Sequence, residues 1–236
     1  MSTFKFKYFS VQQATSTMKV GTDAMLLGSL INSSDKLRGL DIGAGTGVIS
    51  LMVAQVNPKI QIDAIELDEL SVKECAKNFL NSPWSSRLNS FQADFKSYDS
   101  KEKYDLLFSN PPYYQSTLVN DDSREALAKH VGELTPERLI EKAEFLLNKT
   151  GALWLIVPYS DVQHWIDAAL NCSLYPAQQI EINGKEDDVP KRVVICFERS
   201  IKAIEVFHLT VRAENGNYTP DYISLTKEFH FVTLTP

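Results

Sequence analysis

The seven residues 41–47, DIGAGTG, constrain what this chain can fold into more than any other stretch. They stand between two apolar runs, Leu37 to Ile42 and Val48 to Val56. The first has the length of a buried strand and the second that of a helix. Glycine at alternate positions, Gly43, Gly45 and Gly47, lets the backbone turn tightly and leaves room for a ligand against it. The helix that follows points its unpaired N–H groups into that space. Two common phosphate sites are excluded. A dinucleotide fingerprint needs G-x-G-x-x-G, and Val48 stands where its third glycine belongs. A Walker loop needs Lys after the last glycine, and none follows Gly47. Asp41, at the head of the run, suits a cationic or hydroxyl-bearing group better than a pyrophosphate.

Beyond the loop, strand-like and helix-like runs alternate. Strands are predicted at 37–42, 60–65, 88–92, 103–109 and 151–157, with helices between them, so the class is α/β with a parallel sheet covered on both faces. Leu174 to Asn183 and Arg192 to Glu198 are joined by a loop too short for a helical crossover, so that pair is antiparallel. Thr135-Pro136-Glu137 and Thr219-Pro220-Asp221 read as helix caps. One domain is expected: an N-terminal arm and helix (1–36), a core (37–200) and a C-terminal extension (201–236) that completes it.

In an open parallel sheet the ligand lies past the carboxyl ends of the strands. Four such ends carry informative side chains: Asp41 with the glycine loop, Glu66, Asp94 and Asn110. Glu66 can accept hydrogen bonds from both hydroxyls of a ribose. Asp94 can accept from the exocyclic amine of an adenine, with Phe95 against the ring. Together they describe a held adenosine with a non-phosphate tail over residues 43–47. The sharpest signal is NPPY at 110–113. Pro111 and Pro112 fix the backbone and remove two donors, so carbonyls there point outward. The Asn110 side-chain oxygen and a neighbouring carbonyl can then accept from one planar NH₂ group, which favours its attack on an electrophile held in line. Tyr113 supplies a ring on which a flat base can stack.

D-x-G-x-G-x-G resembles the first motif of methyltransferases that use S-adenosylmethionine. DIGAGTG, Glu66, Asp94 and NPPY in this order look like the N-type nucleic-acid and glutamine methyltransferases. VGTDAMLLGSL at 20–30, the NPPYYQS continuation and the hairpin at the sheet edge most resemble the tRNA1(Val) adenine-N6 methyltransferase family. That resemblance spans nearly the whole chain. It implies a Rossmann-like class I fold, a seven-stranded, mostly parallel sheet with an antiparallel edge hairpin. It also implies methylation of N6 of the adenine 3′ of the anticodon in a valine tRNA, with S-adenosylmethionine as cofactor. Carried over by position, Asn110, Pro111, Pro112 and Tyr113 hold the adenine. Asp41, Gly43, Ala44, Gly45, Glu66, Leu67, Asp94, Phe95 and Asn110 hold the cofactor, and Thr22 and Asp23 close over its methionine end. Glutamine methyltransferases of release factors also carry NPPY, but resemble chains with a separate helical N-terminal domain. Guanine-N2 rRNA methyltransferases show a bulkier N-terminal half and Phe after the prolines. Both remain as alternatives.

Composition bounds the partners. Three cysteines and four histidines lie too far apart for a zinc site, so no metal is expected. No apolar stretch reaches membrane-spanning length and MSTFKFKYF lacks a signal-peptide core, so a cytoplasmic protein away from membranes is expected, with a monomer as the simplest state. Net charge is −6, from 24 Lys and Arg against 30 Asp and Glu, unusual for a nucleic-acid binder. RNA contact is therefore left to local patches: Lys5, Lys7 and Lys19, the segment Arg124 to His130, and Lys185, Lys191 and Arg192.

Overall fold

The computed structural model describes residues 3–16, 18–111 and 134–235. A small antiparallel hairpin comes first, β1 (Thr3–Lys5) with β2 (Ser10–Gln12), then helix α1 (Thr22–Leu30). The alternating stretch follows as β3 (Arg38–Ile42), α2 (Val48–Val56), β4 (Gln61–Glu66), α3 (Glu69–Leu80), β5 (Leu88–Gln92) and β6 (Tyr104–Ser109). After residue 134 come α4 (Pro136–Leu146), β7 (Leu147–Pro158), α5 (Val162–Asn171), β8 (Tyr175–Lys185), β9 (Arg192–Glu198), β10 (Glu205–Arg212) and α6 (Pro220–Thr226). Cap chemistry sets several starts. The Asp68 carboxylate accepts from Ser71 N–H at α3, and Thr135 and Thr219 cap α4 and α6, each followed by proline at the first helical position.

The large sheet runs in the order β10-β8-β9-β7-β6-β3-β4-β5. Only β9 is reversed, antiparallel to both β7 and β8, because residues 186–191 are too few for a crossover helix. From β3 the chain builds outward through β4 and β5, then returns to place β6 on the other flank of β3. That reversal makes the β3/β6 boundary the topological switch point, where a crevice opens past the strand ends.

The class is the expected one, and the strand count is eight rather than seven. Residues Glu205 to Arg212 pair in parallel with β8, from Glu205 opposite Gln178 to Arg212 opposite Lys185. The β8/β9 hairpin is therefore not the edge, since β10 lies outside it. Only Leu209 and Val211 of β10 are buried, so its sequence lacks the continuous apolar run of the central strands.

Side chains alternate across the sheet with period two. Ile62, Ala64, Leu106 and Phe108 face a core made with α1, α2, α3 and the N-terminal hairpin. Leu40, Ile42, Ile65 and Leu107 face a second core made with α4 and α5. Phe6 and Phe9 of the arm turn inward, while Tyr8 is exposed. Phe6 stacks on Phe9 with ring centroids 4.3 Å apart, and Phe9 meets Trp84 edge-on at 5.5 Å.

Two polar residues of α3 sew the arm down. The Glu74 carboxylate accepts backbone N–H groups from Ala14, Thr15 and Ser16 at 2.7–3.2 Å. Burial pulls its carboxyl up, and the backbone donors together outweigh it and hold the group below the ordinary range. The Asn78 amide bonds both backbone groups of Gln12 and donates to the Thr46 carbonyl at 2.9 Å. The arm is thus tied directly to the glycine loop.

Candidate active site

Strands β6, β3, β4 and β5 are neighbours, and their carboxyl ends lie in register. Ser109 pairs with Ile42, Ile42 with Ile65, and Glu66 with Gln92. Asn110 and Gly43 therefore leave adjacent strands at the same level. With neighbouring strands about 4.8 Å apart, the row from Asn110 to Asp94 spans roughly 15 Å, the length of a nucleoside with an amino-acid tail. The Ser109 hydroxyl, fully buried, donates to the Ile42 carbonyl at 2.7 Å and clamps the two strands across the switch point.

The glycine loop is held by its own backbone. Gly43 and Ala44 N–H groups both donate to the Ile65 carbonyl, at 2.9 and 3.0 Å, and Gly47 N–H donates to Ala44 at 2.8 Å. Gly43, Gly45 and Gly47 have φ of 70°, 54° and 77°, the left-handed region that favours glycine. Their roles differ. A Cβ on Gly43 or Gly45 would meet nothing within 4 Å, so their outer sides are open to a ligand. A Cβ on Gly47 would sit 2.5 Å from the Phe79 ring and 2.6 Å from Cys75 Sγ. Gly47 is required by the close approach of α3, not by a ligand.

Glu66 clasps this loop. Its Oε2 accepts from Gly45 N–H at 2.9 Å, and its Oε1 accepts from Leu67 and Asp68 N–H at 2.8 and 3.0 Å. A carboxylate oxygen takes about two hydrogen bonds. Oε1 is filled, and Oε2 has capacity for one further donor. A ribose can thus give one hydroxyl proton to Glu66 as it stands. The second is accepted only if Gly45 N–H turns from Glu66 to the ligand. Leu67 contributes through its backbone N–H.

Asp41 lies beneath the loop, 1% exposed. Its Oδ2 accepts from the Ser50 hydroxyl at 2.7 Å. Burial pushes its carboxyl up to about 7; hydrogen bonds from Ser50 oppose this, and the nearby Glu66 charge adds to it. Its side chain is therefore spent on joining strand to helix, and it is not displayed at the surface of the crevice. A pH dependence follows from the raised value. Folded Asp41 keeps its proton to about pH 7 while the unfolded chain loses it near 3.8, so its contribution to stability is full below about pH 4 and is lost as pH rises to about 7. Asp41→Asn removes this slope: urea midpoints of wild type and variant, compared at pH 5 and pH 8, should diverge in the variant's favour at pH 8. Parallel midpoints would show that Asp41 ionises normally.

Asp94 is half-exposed after β5, accepts from Lys96 N–H at 3.0 Å and pairs with the Lys96 ammonium at 3.5 Å. Phe95 corrects an expectation: it is 5% exposed and packs in the second core, so its ring is not available to lie against an adenine. A residue that follows a strand end reaches either the crevice or the core, and periodicity does not say which. Thr22 is exposed at the start of α1, and Asp23 pairs with Arg192 at 3.1 Å. Asn110 is half-buried and Pro111 buried. Pro112 and Tyr113 lie outside the described residues.

Ser50, Ser109 and Asn78 organise the site and were not singled out from the sequence. Ser50 had a signal, a lone hydroxyl within the apolar helix VISLMVAQV. Asn78 had none, because its partners are 32 and 66 residues away. Among the described residues, no group of three or more His, Cys, Asp or Glu could hold a metal ion, and no helix is long and apolar enough to cross a membrane.

This arrangement, a glycine loop and a strand-end carboxylate beside Asn110 at the switch point, coincides with a family match. Residues 10–180 fit the methyltransferase small domain, and the chain belongs to that family. A structure from Agrobacterium tumefaciens, described as a predicted O-methyltransferase, shares the fold, with a TM-score of 0.69 at 20% identity over 88% of this chain and 96% of that one. Two curated relatives narrow the family. The tRNA1(Val) (adenine(37)-N6)-methyltransferases of Flavobacterium psychrophilum and Flavobacterium johnsoniae are each 38% identical to this chain, over 96% of it and 98% of their own length. The chain is a member of the tRNA1(Val) (adenine(37)-N6)-methyltransferase family.

Proposed function

We propose that this protein transfers a methyl group from S-adenosylmethionine to N6 of adenine 37 in tRNA1(Val). The observation that carries the reading is the adjacency of Asn110 to the glycine loop across the switch point, in a chain whose relatives are named for that reaction. The residues fit the cofactor. The open outer sides of Gly43 and Gly45 leave a cradle that side chains would fill, and Glu66 keeps acceptor capacity for a hydroxyl. S-adenosylmethionine supplies the methyl group on a positively charged sulfur.

The chain's own residues bind and orient. Gly43, Ala44 and Gly45 form the floor for the amino-acid tail, Glu66 accepts from the ribose, and Asp94 accepts from the adenine amine of the cofactor. Leu67 and Phe95 contribute backbone at the same edge, and Asp41 supports the loop from beneath. Thr22 and Asp23 cover the methionine end. The Asn110 side-chain oxygen accepts an N–H of the target adenine, which favours the pyramidal nitrogen of the transition state over the flat, delocalised one. Pro111 and Pro112 hold that acceptor in place, and Tyr113 stacks on the base once it is turned out of its helix. The methylated nitrogen is strongly acidic and gives its extra proton to water, so no general base is required.

Incubation with labelled cofactor tests the reading against its nearest rival. Label should enter unmodified tRNA1(Val) and not a release-factor protein with a free glutamine. Label in the protein alone would establish a glutamine methyltransferase instead.

A further inference from the structure

Three of the basic residues that the sequence offers for RNA are paired with carboxylates of the protein itself. Lys7 pairs with Glu228 at 2.8 Å, Lys191 with Asp188 at 3.9 Å and Arg192 with Asp23 at 3.1 Å. A different cluster stands on α4 and the loop after β5. Lys96, Arg138, Glu141, Lys142 and Phe145 line a cleft of about 460 Å³. Arg138, Lys142 and Phe145 follow at i, i+4 and i+7, on one face of the helix. Phe145 is 50% exposed, with the Lys103 ammonium 3.7 Å and the Lys142 ammonium 5.2 Å from its ring centre. Lys96 pairs with Asp94 at 3.5 Å and the Lys103 ammonium donates to the Phe145 carbonyl, while neither Lys103 nor Lys142 has a carboxylate within ion-pair distance among the described residues.

The cleft has a direction. Lys96 lies two residues past Asp94, and Arg138 is in the first turn of α4, so its upper end opens at the sheet edge that carries Asn110. Helix α4 then runs down to Phe145, and Lys103 lies just before the start of β6. Eleven helical residues cover roughly 16 Å, long enough for a few nucleotides. Lys96, Arg138 and Lys142 line the cleft with one acid, Glu141, and Lys103 stands against Phe145, in a protein whose net charge is −6. An exposed aromatic between cations is the arrangement that single-stranded nucleic acid fits, with phosphates on the ammonium and guanidinium groups and a base on the ring.

We propose that this cleft is the docking surface for the tRNA strand that flanks the target adenine, with Lys96, Arg138, Lys142 and Lys103 on its phosphates and Phe145 beneath one of its bases. It rests on the tRNA reading above. Steady-state methylation of unmodified tRNA1(Val) tests it with Lys142→Glu, Lys142→Gln and Phe145→Leu, using Lys59→Glu at the opposite sheet edge as control. The Lys142 and Phe145 variants should raise KM for tRNA about tenfold, with kcat at saturating tRNA and cofactor affinity within about twofold of wild type. Lys142→Gln keeps the side-chain stem and should flatten the dependence of log affinity on log salt by about 0.7–0.9. Lys59→Glu should match wild type. If wild type methylates tRNA and the cleft variants keep its KM and salt slope, the cleft is not the docking surface and the function stands. If wild type binds cofactor and methylates no tRNA, the function and the cleft fall together.

Discussion

Asn110→Ala lowers kcat by about 10²–10³-fold and leaves cofactor affinity within about twofold. The expectation comes from where the side chain stands. Ser109 is fixed by its bond to the Ile42 carbonyl, and buried Pro111 restricts the backbone on the other side. Asn110 is thereby held beside the loop with little freedom. Its amide oxygen is the acceptor that an adenine amine meets as its nitrogen turns pyramidal, an interaction stronger in the transition state than in the ground state. Removing it affects turnover more than binding. The cofactor keeps Glu66 and the open glycines. Single-turnover rates with saturating tRNA, together with cofactor titration, separate the two effects. Wild-type turnover in the variant would remove Asn110 from the chemistry. An equal loss in cofactor affinity would make it a binding residue.

Glu66→Ala has the reverse signature. Cofactor affinity falls about 100-fold while kcat at saturating cofactor stays within a few-fold. Two losses combine. The ribose loses its acceptor, and the backbone N–H groups of Gly45, Leu67 and Asp68 lose theirs. An orphaned buried donor costs about 1–3 kcal/mol, less where water reaches it, as it does at this half-exposed edge. The loop is then no longer pre-shaped for its ligand. Glu66→Gln separates the parts. Its one carbonyl oxygen can still take the Leu67 and Asp68 donors, but the NH₂ that replaces the second oxygen cannot accept from Gly45. It should recover stability and only part of the affinity. Calorimetric titration checks both variants, and unchanged affinity in Glu66→Ala would take Glu66 out of the cofactor site.

What was legible in the sequence is what local chemistry records. The turn at 43–47 needs positive φ, so its glycines were visible, and the strand that ends at Glu66 ends where its apolar pattern ends. The order of strand ends then placed Glu66, Asp94 and Asn110 at one edge, and the register agrees. Other features needed the third dimension. Gly47 looked like its two companions, and only the approach of Phe79 and Cys75 from α3 gives it a separate role. Asp41 looked like a ligand residue, but the chain folds over it and Ser50 takes its oxygen. Phe95 sits one residue from Asp94, yet it points into the core. The eighth strand of the sheet, β10, is mostly exposed, and such a run does not say what it pairs with. The basic cleft was hidden by arithmetic, because a net charge of −6 sums over the surface while RNA meets one face of it.

The central claim, that Asn110 and the glycine loop together serve methyl transfer to one adenine nitrogen, has a direct measurement. Unmodified tRNA1(Val) is incubated with the protein and S-adenosylmethionine, digested, and its fragments are read by mass spectrometry. The account predicts one added methyl group, on N6 of adenine 37, present with the wild-type protein and absent with Asn110→Ala. A methyl group on another base or atom, or one that persists in the variant, would contradict it.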